Sequence, residues 1–194
     1  MSFTDTLIAS NVRVGITGAL YKGPPDAPLP INATSPLDAS YVSLGYMSDE
    51  GVTESWEDSV DDIIAWQSAV QVRSSTTESK LSLAGTLIET NGATLQTFHR
   101  GSVVTSDLEG LGYQIDIKPV VADPSRFVLD VVDGPKLIRI SLGLGEVVER
   151  GEIMYANGQP IAFPITLRGY PDENGNIAQK FSNDDAWALG LDAS

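Results

Sequence analysis

The side chains in this sequence that are the best candidates for catalysis or metal binding are carboxylates, and they are concentrated in one short segment. Residues 49–62 contain seven acids and no base, namely Asp49, Glu50, Glu54, Glu57, Asp58, Asp61 and Asp62. Oxygen ligands of this kind bind hard cations such as Ca²⁺ when a shaped loop makes them converge. Paired carboxylates also hydrolyse glycosides when the fold holds them roughly 5–10 Å apart. Both chemistries therefore depend on a geometry that composition does not supply.

Two further features have functional residue types but ordinary explanations. Asp172-Glu173-Asn174-Gly175-Asn176 has calcium-binding side chains, yet its glycine comes early and no bidentate glutamate follows in register, so a tight turn is predicted. His99 is the only histidine, and it ends a predicted helix, where an imidazole commonly meets the last carbonyls or the helix dipole. A metal site of several histidines is therefore excluded, and a catalytic triad has only this one candidate base.

Motifs for cofactors are missing as well. The chain has no cysteine, which excludes disulfides, thiolate metal sites and cysteine nucleophiles. It has no Gly-Lys-Ser/Thr phosphate loop, and Gly143-Leu144-Gly145 lacks the third glycine and the following helix of a dinucleotide site. We predict a protein that is not an enzyme, with no catalytic residue, no cofactor and no metal ion.

The charge balance limits the possible partners. The 194 residues contain 26 acids and 12 bases, a formal net charge of −14. Such a chain is repelled by nucleic-acid backbones, because binding them requires Lys and Arg to neutralise phosphates. Solubility alone also explains the acidity. No apolar run approaches the roughly 20 residues that cross a bilayer, and the first residues do not resemble a signal peptide, so we expect folding in a reducing cytoplasm without membrane insertion.

Apolar residues alternate with polar ones along most of the chain, which is typical of half-buried strands. Residues 126–170 predict an antiparallel meander with strands near 126–132, 136–145, 147–156 and 161–170, and Pro164 indicates an edge strand or a bulge in the last of them. One helix is predicted from about 91 to 100, capped by Thr90 or Asn91. The fold class is therefore mainly β, an antiparallel β-sandwich or partly closed barrel with one flanking short α-helix.

Two segments are predicted to be long loops. Residues 22–40 are too rich in proline for a helix or a strand ladder, and residues 49–62 are too acidic to be buried. Loops of this length usually have a role, and contact with a partner is a plausible one for both. We expect one domain over residues 1–194, with an N-terminal arm at about 1–11 and a C-terminal arm at about 182–194.

The order of several segments resembles that of the major tail tube proteins of long-tailed, non-contractile bacteriophages, particularly phages of actinobacterial hosts. The resemblance rests on Val12–Tyr21, on Tyr41–Glu54, on Asp62–Gln67 and on Leu87–Asn91. It implies a tube domain that joins its inner sheets into hexameric rings, which stack into a hollow tail tube and conduct phage DNA into the host. It also implies assembly in the host cytoplasm, a virion location, and the tape measure, tail terminator and distal tail proteins as partners, while DNA passes without specific binding.

Two sets of residues follow as candidates for assembly. The acidic segment is predicted to contact a neighbouring ring or subunit, with Trp56 as its apolar anchor; the set is Asp49, Glu50, Glu54, Trp56, Glu57 and Asp58. Alternation also assigns one face of each strand away from the core. The acids predicted on that face, and so in the lumen, are Asp116, Asp130, Glu146 and Glu149.

Three other functions remain open at this point. A tube protein of a contractile tail or of a secretion-system-like machine shares the fold but is surrounded by a sheath. A carbohydrate-binding or adhesive β-sandwich of the tail would stay a monomer or small oligomer. An acidic glycosidase finds thin support, since only Trp56, Trp66 and Trp187 are available to stack on sugars.

Overall fold

The computed structural model describes residues 7–67, 69–106 and 110–188, and its regular structure consists mainly of antiparallel strands. Within these residues there are ten strands and one α-helix, α1 (Gly92–Phe98). The strands are β1 (Thr17–Gly23), β2 (Val42–Ser43), β3 (Met47–Ile64), β4 (Gln71–Leu87), β5 (Val104–Ser106), β6 (Tyr113–Ile115), β7 (Ser125–Asp133), β8 (Lys136–Arg150), β9 (Phe163–Gly169) and β10 (Gln179–Ser182). The predicted class, mainly β with one short helix, is confirmed.

Eight of the strands form two layers that share β8. Residues 136–145 of β8 pair with β7, and residues 138–141 also pair with β10. Residues 145–150 pair instead with β9, which continues through β4 to β3. We call β2, β1, β7, the start of β8 and β10 the first layer, and the end of β8, β9, β4 and β3 the second layer.

The core lies between these two layers. Paired rows of apolar side chains face each other across it, Leu20–Leu129–Ile140 from the first layer and Leu83–Leu167–Val147 from the second. All six residues are less than a tenth exposed and belong to one cluster of buried side chains. Alternation predicted the inward positions of Ile140 and Leu167, because successive strand residues point to opposite faces.

The helix closes one end of the core. Asn91 caps it as predicted, accepting a hydrogen bond from the backbone N–H of Thr94 at 2.8 Å. The Phe98 ring is buried and packs edge-on against Phe163, with ring centroids 5.5 Å apart. His99 ends the helix, also as predicted, and its backbone N–H bonds to the Leu95 carbonyl.

The acidic segment is not a loop. Residues 49–62 lie within β3, which pairs with β4 along a hairpin that extends beyond the second layer. The prediction failed because a run of acids was taken to exclude a strand, whereas acids remain solvated on an exposed edge strand and discourage uncontrolled pairing there. Residues 22–40 fit the prediction better, because the chain is irregular from residue 24 to residue 41 after β1 ends.

Several strand boundaries also differ from the prediction. The strand expected at 136–145 continues to Arg150 as β8, with a bulge between Val147 and Glu149, whereas residues 151–156 of the strand expected at 147–156 are irregular. The strand β9, which contains Pro164, pairs on both sides and is no edge strand. Residues 12–16 alternate as a strand does, yet they form no ladder and Val12 is 70% exposed.

Candidate assembly interface

The outer face of the first layer is covered by the chain itself. Val128 is fully buried there beneath Ala27 and Tyr41 of the irregular segment 24–41. Arg139 on the same face donates two hydrogen bonds to Asp130, at 2.7 and 2.8 Å. Its other nitrogen bonds to the carbonyl of Ser35 at 2.7 Å, so the guanidinium ties this segment to the sheet.

The outer face of the second layer has no such cover among the described residues. Two rows of side chains cross it, because directly paired residues share a face and alternate with the buried row of Leu83 and Leu167. Their members are small and polar except at the β8 end, where they are charged. The rows are Ser55–Ser82–Arg168–Glu146 and Thr53–Ala84–Thr166–Glu149, and each of these residues is partly or fully exposed.

Charges on this open face are close to balanced. Glu146 lies across from Arg168 in the ladder and accepts a hydrogen bond from Arg100 at 2.6 Å. It also accepts one from the backbone N–H of Asp123 at 3.0 Å. Only Glu149 has no cation in its own row. The face therefore offers mainly hydroxyls and methyl groups, with few unpaired charges.

Both margins of the second layer are free strand edges. β3 pairs only with β4, and β8 loses its β7 partner after Gly145. Strand direction alternates from β3 through β4 and β9 to β8, because each of these pairs is antiparallel. Unpaired edges present rows of N–H and C=O groups that can pair with another strand.

Within the described residues, the outer part of the β3–β4 hairpin pairs with no third strand, and almost all of its side chains are exposed. β9 pairs with β4 only over Leu81–Leu87, which leaves Glu57–Ile64 and Gln71–Lys80 as a two-stranded ribbon about 25 Å long. Its apolar side chains are at least half exposed, and the turn residue Trp66 is 95% exposed. The others are Val60, Ile63, Ile64, Val70 and Val72. A two-stranded hairpin is at best marginally stable alone, so this ribbon needs a partner surface.

The residues predicted as the interface share one strand but not one surface. Glu54, Trp56 and Asp58 lie on the core-side face, since Glu54 pairs with Leu83 and Trp56 with Leu81. Glu57 points to the opposite face, across from Lys80. Asp49 and Glu50 precede Gly51, whose positive φ of 70° accompanies a bulge in the ladder. Trp56 is half exposed, so half of its surface contacts its own subunit and the other half remains accessible.

The residues predicted in the lumen are scattered over three surfaces. Asp130 is in the ion pair with Arg139 beneath the segment 24–41, because that segment covers the face that alternation alone left open. Glu146 and Glu149 lie on the open face of the second layer. Asp116 follows β6, which pairs only with β5 in a separate two-stranded sheet.

Four residues on the open face, in β4 and β9, were not predicted from the sequence, although strand alternation marks their positions. Thr166 and Arg168 alternate with the buried Ile165 and Leu167, and Ser82 and Ala84 alternate with Leu81 and Leu83. The predicted lumen residues were all acids, and none of these four residues is an acid. Alternation marks which residues share a face, but only the tertiary fold shows which of two faces is covered.

The residues considered for chemistry in the sequence have structural contacts in the described part of the chain. Asp172 accepts hydrogen bonds from the backbone N–H groups of Asn174 and Asn176, both at 2.8 Å, which makes the predicted tight turn. The His99 ring packs on Phe98, and burial, followed by the charge of Arg150, lowers its pKa. No group of three or more metal-binding side chains occurs in the described residues. Nor does the described part of the chain contain a helix long and apolar enough to cross a membrane.

Comparisons with known proteins agree with this architecture. A family model described as phage tail tube protein matches residues 6–190, nearly the whole chain. Comparison with curated proteins gave no match.

Proposed function

Because the chain belongs to the phage tail tube protein family, we propose that its copies form hexameric rings that stack into a hollow tube and conduct phage DNA. The family establishes the coarser role. The protein is a structural component of the virion tail, it assembles into a tube with other tail proteins, and the family is not an enzymatic one. The tape measure, tail terminator and distal tail proteins are the proposed partners.

The observation that carries the proposal is the contrast between the two outer faces. The first layer is covered by residues 24–41, whereas the second layer is open and ends in two free strand edges. A sheet with open edges invites uncontrolled pairing unless something closes it, and a closed ring of copies does so. The second layer then becomes the wall of the ring, and its outer face lines the channel.

Strand direction supports one specific junction between neighbouring copies. β3 of one subunit pairs along its free edge with residues 146–150 of β8 of the next subunit. Because directions alternate across the second layer, β8 and the neighbour's β3 run antiparallel, and the alternation continues around the ring. Antiparallel pairs also form the slightly more stable ladder.

The ribbon of the hairpin supplies the contact between rings. It extends past the last strand of its own subunit and exposes apolar side chains, so packing against an adjacent ring removes them from water. Trp56, with the neighbouring acids Asp49, Glu50, Glu54, Glu57 and Asp58, lies at or near the root of this ribbon. A heterologous contact of this kind repeats along an axis and produces an open-ended stack.

The composition of the open face suits passage of DNA without binding. Thr53, Ser55 and Thr166 offer no stacking platform for bases, and Arg168 lies across from Glu146. The channel we propose is therefore polar and weakly charged, with Glu149 as its main unpaired acid. Much of the net charge of −14 then lies elsewhere, including the hairpin and the solvent-exposed loops.

Electron microscopy of the purified protein tests this function. We expect hollow tubes, or at least closed rings, with a central channel. A protein that remains a monomer at high concentration, with no larger species by native mass spectrometry, would contradict the proposal. A sheath around the tube in the virion would assign it to a contractile machine instead.

A further inference from the structure

An ion pair between Lys180 and Glu54 joins β10 to β3 at one margin of the sandwich. Glu54 lies on the core-side face of β3, in the row of Leu83 and Leu167. Lys180 on β10 pairs with Ile140, whose side chain is also in the core, so Lys180 points between the layers as well. The two charged groups meet at this margin with both side chains partly exposed, 23% for Glu54 and 40% for Lys180.

This pair also orients the indole of Trp56. The Lys180 ammonium donates to both Glu54 carboxylate oxygens, at 2.8 and 2.6 Å. The Trp56 Nε1–H donates to Glu54 Oε1 at 2.8 Å. Burial alone would raise the pKa of Glu54, but the hydrogen bonds from Lys180 and Trp56 outweigh it and lower that pKa. Glu54 therefore stays ionised and holds both donors.

Lys180 is fixed on the body of the subunit, not on the hairpin. Its strand pairs with β8, and the chain beyond it is anchored two residues after β10 ends. There the carboxylate of Asp184, 5% exposed, accepts from Arg13 and lies 3.3 Å from Lys136. The clamp of Lys180, Glu54 and Trp56 thus joins a fixed strand to the root of the hairpin.

We propose that Lys180 is a positioning residue for tube assembly. Through Glu54 it sets the direction in which the hairpin leaves the body, and it holds the half-exposed Trp56 ring ready for the adjacent subunit. Ordering the hairpin before contact lowers the entropy lost on association, which strengthens binding without adding a contact. The proposal rests on the tube-forming function proposed above.

The test compares Lys180→Met, Glu54→Gln and Lys180→Arg with the wild-type chain. The readouts are the concentration above which tubes form, the unfolding midpoint, and amide exchange of residues 57–64 in unassembled subunits. We expect Lys180→Met and Glu54→Gln to raise the assembly concentration about fivefold and to speed that exchange, with little change in the unfolding midpoint. Lys180→Arg keeps the clamp and should remain within about twofold of wild type.

Glu173→Gln is the matched control, since it removes the same charge from an exposed turn residue that lies outside the hairpin and outside the open face. An equal effect of this control would assign the change to net charge and overturn the proposal. So would an unfolding midpoint that falls in step with assembly, or unchanged assembly and exchange in Lys180→Met. Failure of the wild-type chain to form tubes would instead contradict the proposed function itself.

Discussion

The two outer faces of the sandwich differ in whether the subunit finishes them itself. The first layer is covered by residues 24–41, pinned by the ion pair of Asp130 with Arg139. The second layer shows hydroxyls, an alanine, Arg168 and two carboxylates, and the contacts described above that reach it from outside the layer, from Arg100 and Asp123, are made to Glu146 at its β8 end. Under the function proposed above, the covered face contributes to the stability of the subunit and the open face serves the assembly.

The largest effect is expected from removing the part of the second layer that extends beyond the body. Deleting residues 60–77 and joining Ser59 to Glu78 through Asn-Gly leaves a two-residue hairpin turn between positions that pair directly. The shortened subunit should unfold at nearly the wild-type denaturant concentration, because the ribbon packs on nothing, yet it should form no tubes. Circular dichroism and electron microscopy measure the two outcomes. Normal tubes would show that the ribbon is not the contact between rings.

The same substitution on the two faces should have unequal effects on the free energy of unfolding. Arg139→Met leaves Asp130 without its partner under the segment 24–41 and should cost about 3 kcal/mol. Arg168→Met on the open face should change that free energy by no more than about 0.5 kcal/mol. Urea unfolding of both variants makes the comparison. Equal losses of unfolding free energy would mean that the open face contributes as much to the stability of the subunit as the covered face does.

Unfolding in acid should reveal a smaller contribution to stability from the ion pair of Asp184 with Arg13. Hydrogen bonding from Arg13 holds the pKa of Asp184 far below its usual range, against the opposing effect of burial. A carboxyl whose pKa is lowered by folding stabilises the protein above its unfolded pKa, about 4, and this stability is lost as the pH falls. Asp184→Asn should therefore be less stable than wild type at pH 7 and lose less stability below about pH 4. Parallel curves for the two proteins would contradict this account.

Local features of the fold were predictable from the sequence. Alternation in the strand predicted at 161–170 agrees with the burial of Phe163, Ile165 and Leu167, and Asn91 was one of the two predicted helix caps. These predictions succeeded because their causes are local: the period of a strand and the unsatisfied N–H groups of a first helical turn. Proline density likewise identified the irregular segment that follows β1.

The assembly surface was harder to predict because it depends on partners distant in sequence. The acids of β3 form a strand only because the serines and threonines of β4 lie beside them, and the alternating Val12 forms none because no strand pairs with it. Asp130 does point away from the core, as alternation predicted, but residues 24–41 cover that face. These residues lie about a hundred positions earlier in the chain, and the hydrogen bond from Arg126 to the Ala27 carbonyl is one of their contacts with the sheet. Periodicity marks two faces of a sheet, and only packing decides which of them remains open.

The central claim, that the open face of the second layer lines the channel, can be tested by thiol labelling. The chain has no cysteine, so Thr166→Cys on that face and Asp26→Cys on the covering segment each give a single reactive site. A maleimide carrying a polymer too large to enter the tube should modify both variants as unassembled subunits. In tubes it should still modify Asp26→Cys and leave Thr166→Cys unmodified. Equal modification of Thr166→Cys before and after assembly would contradict the claim.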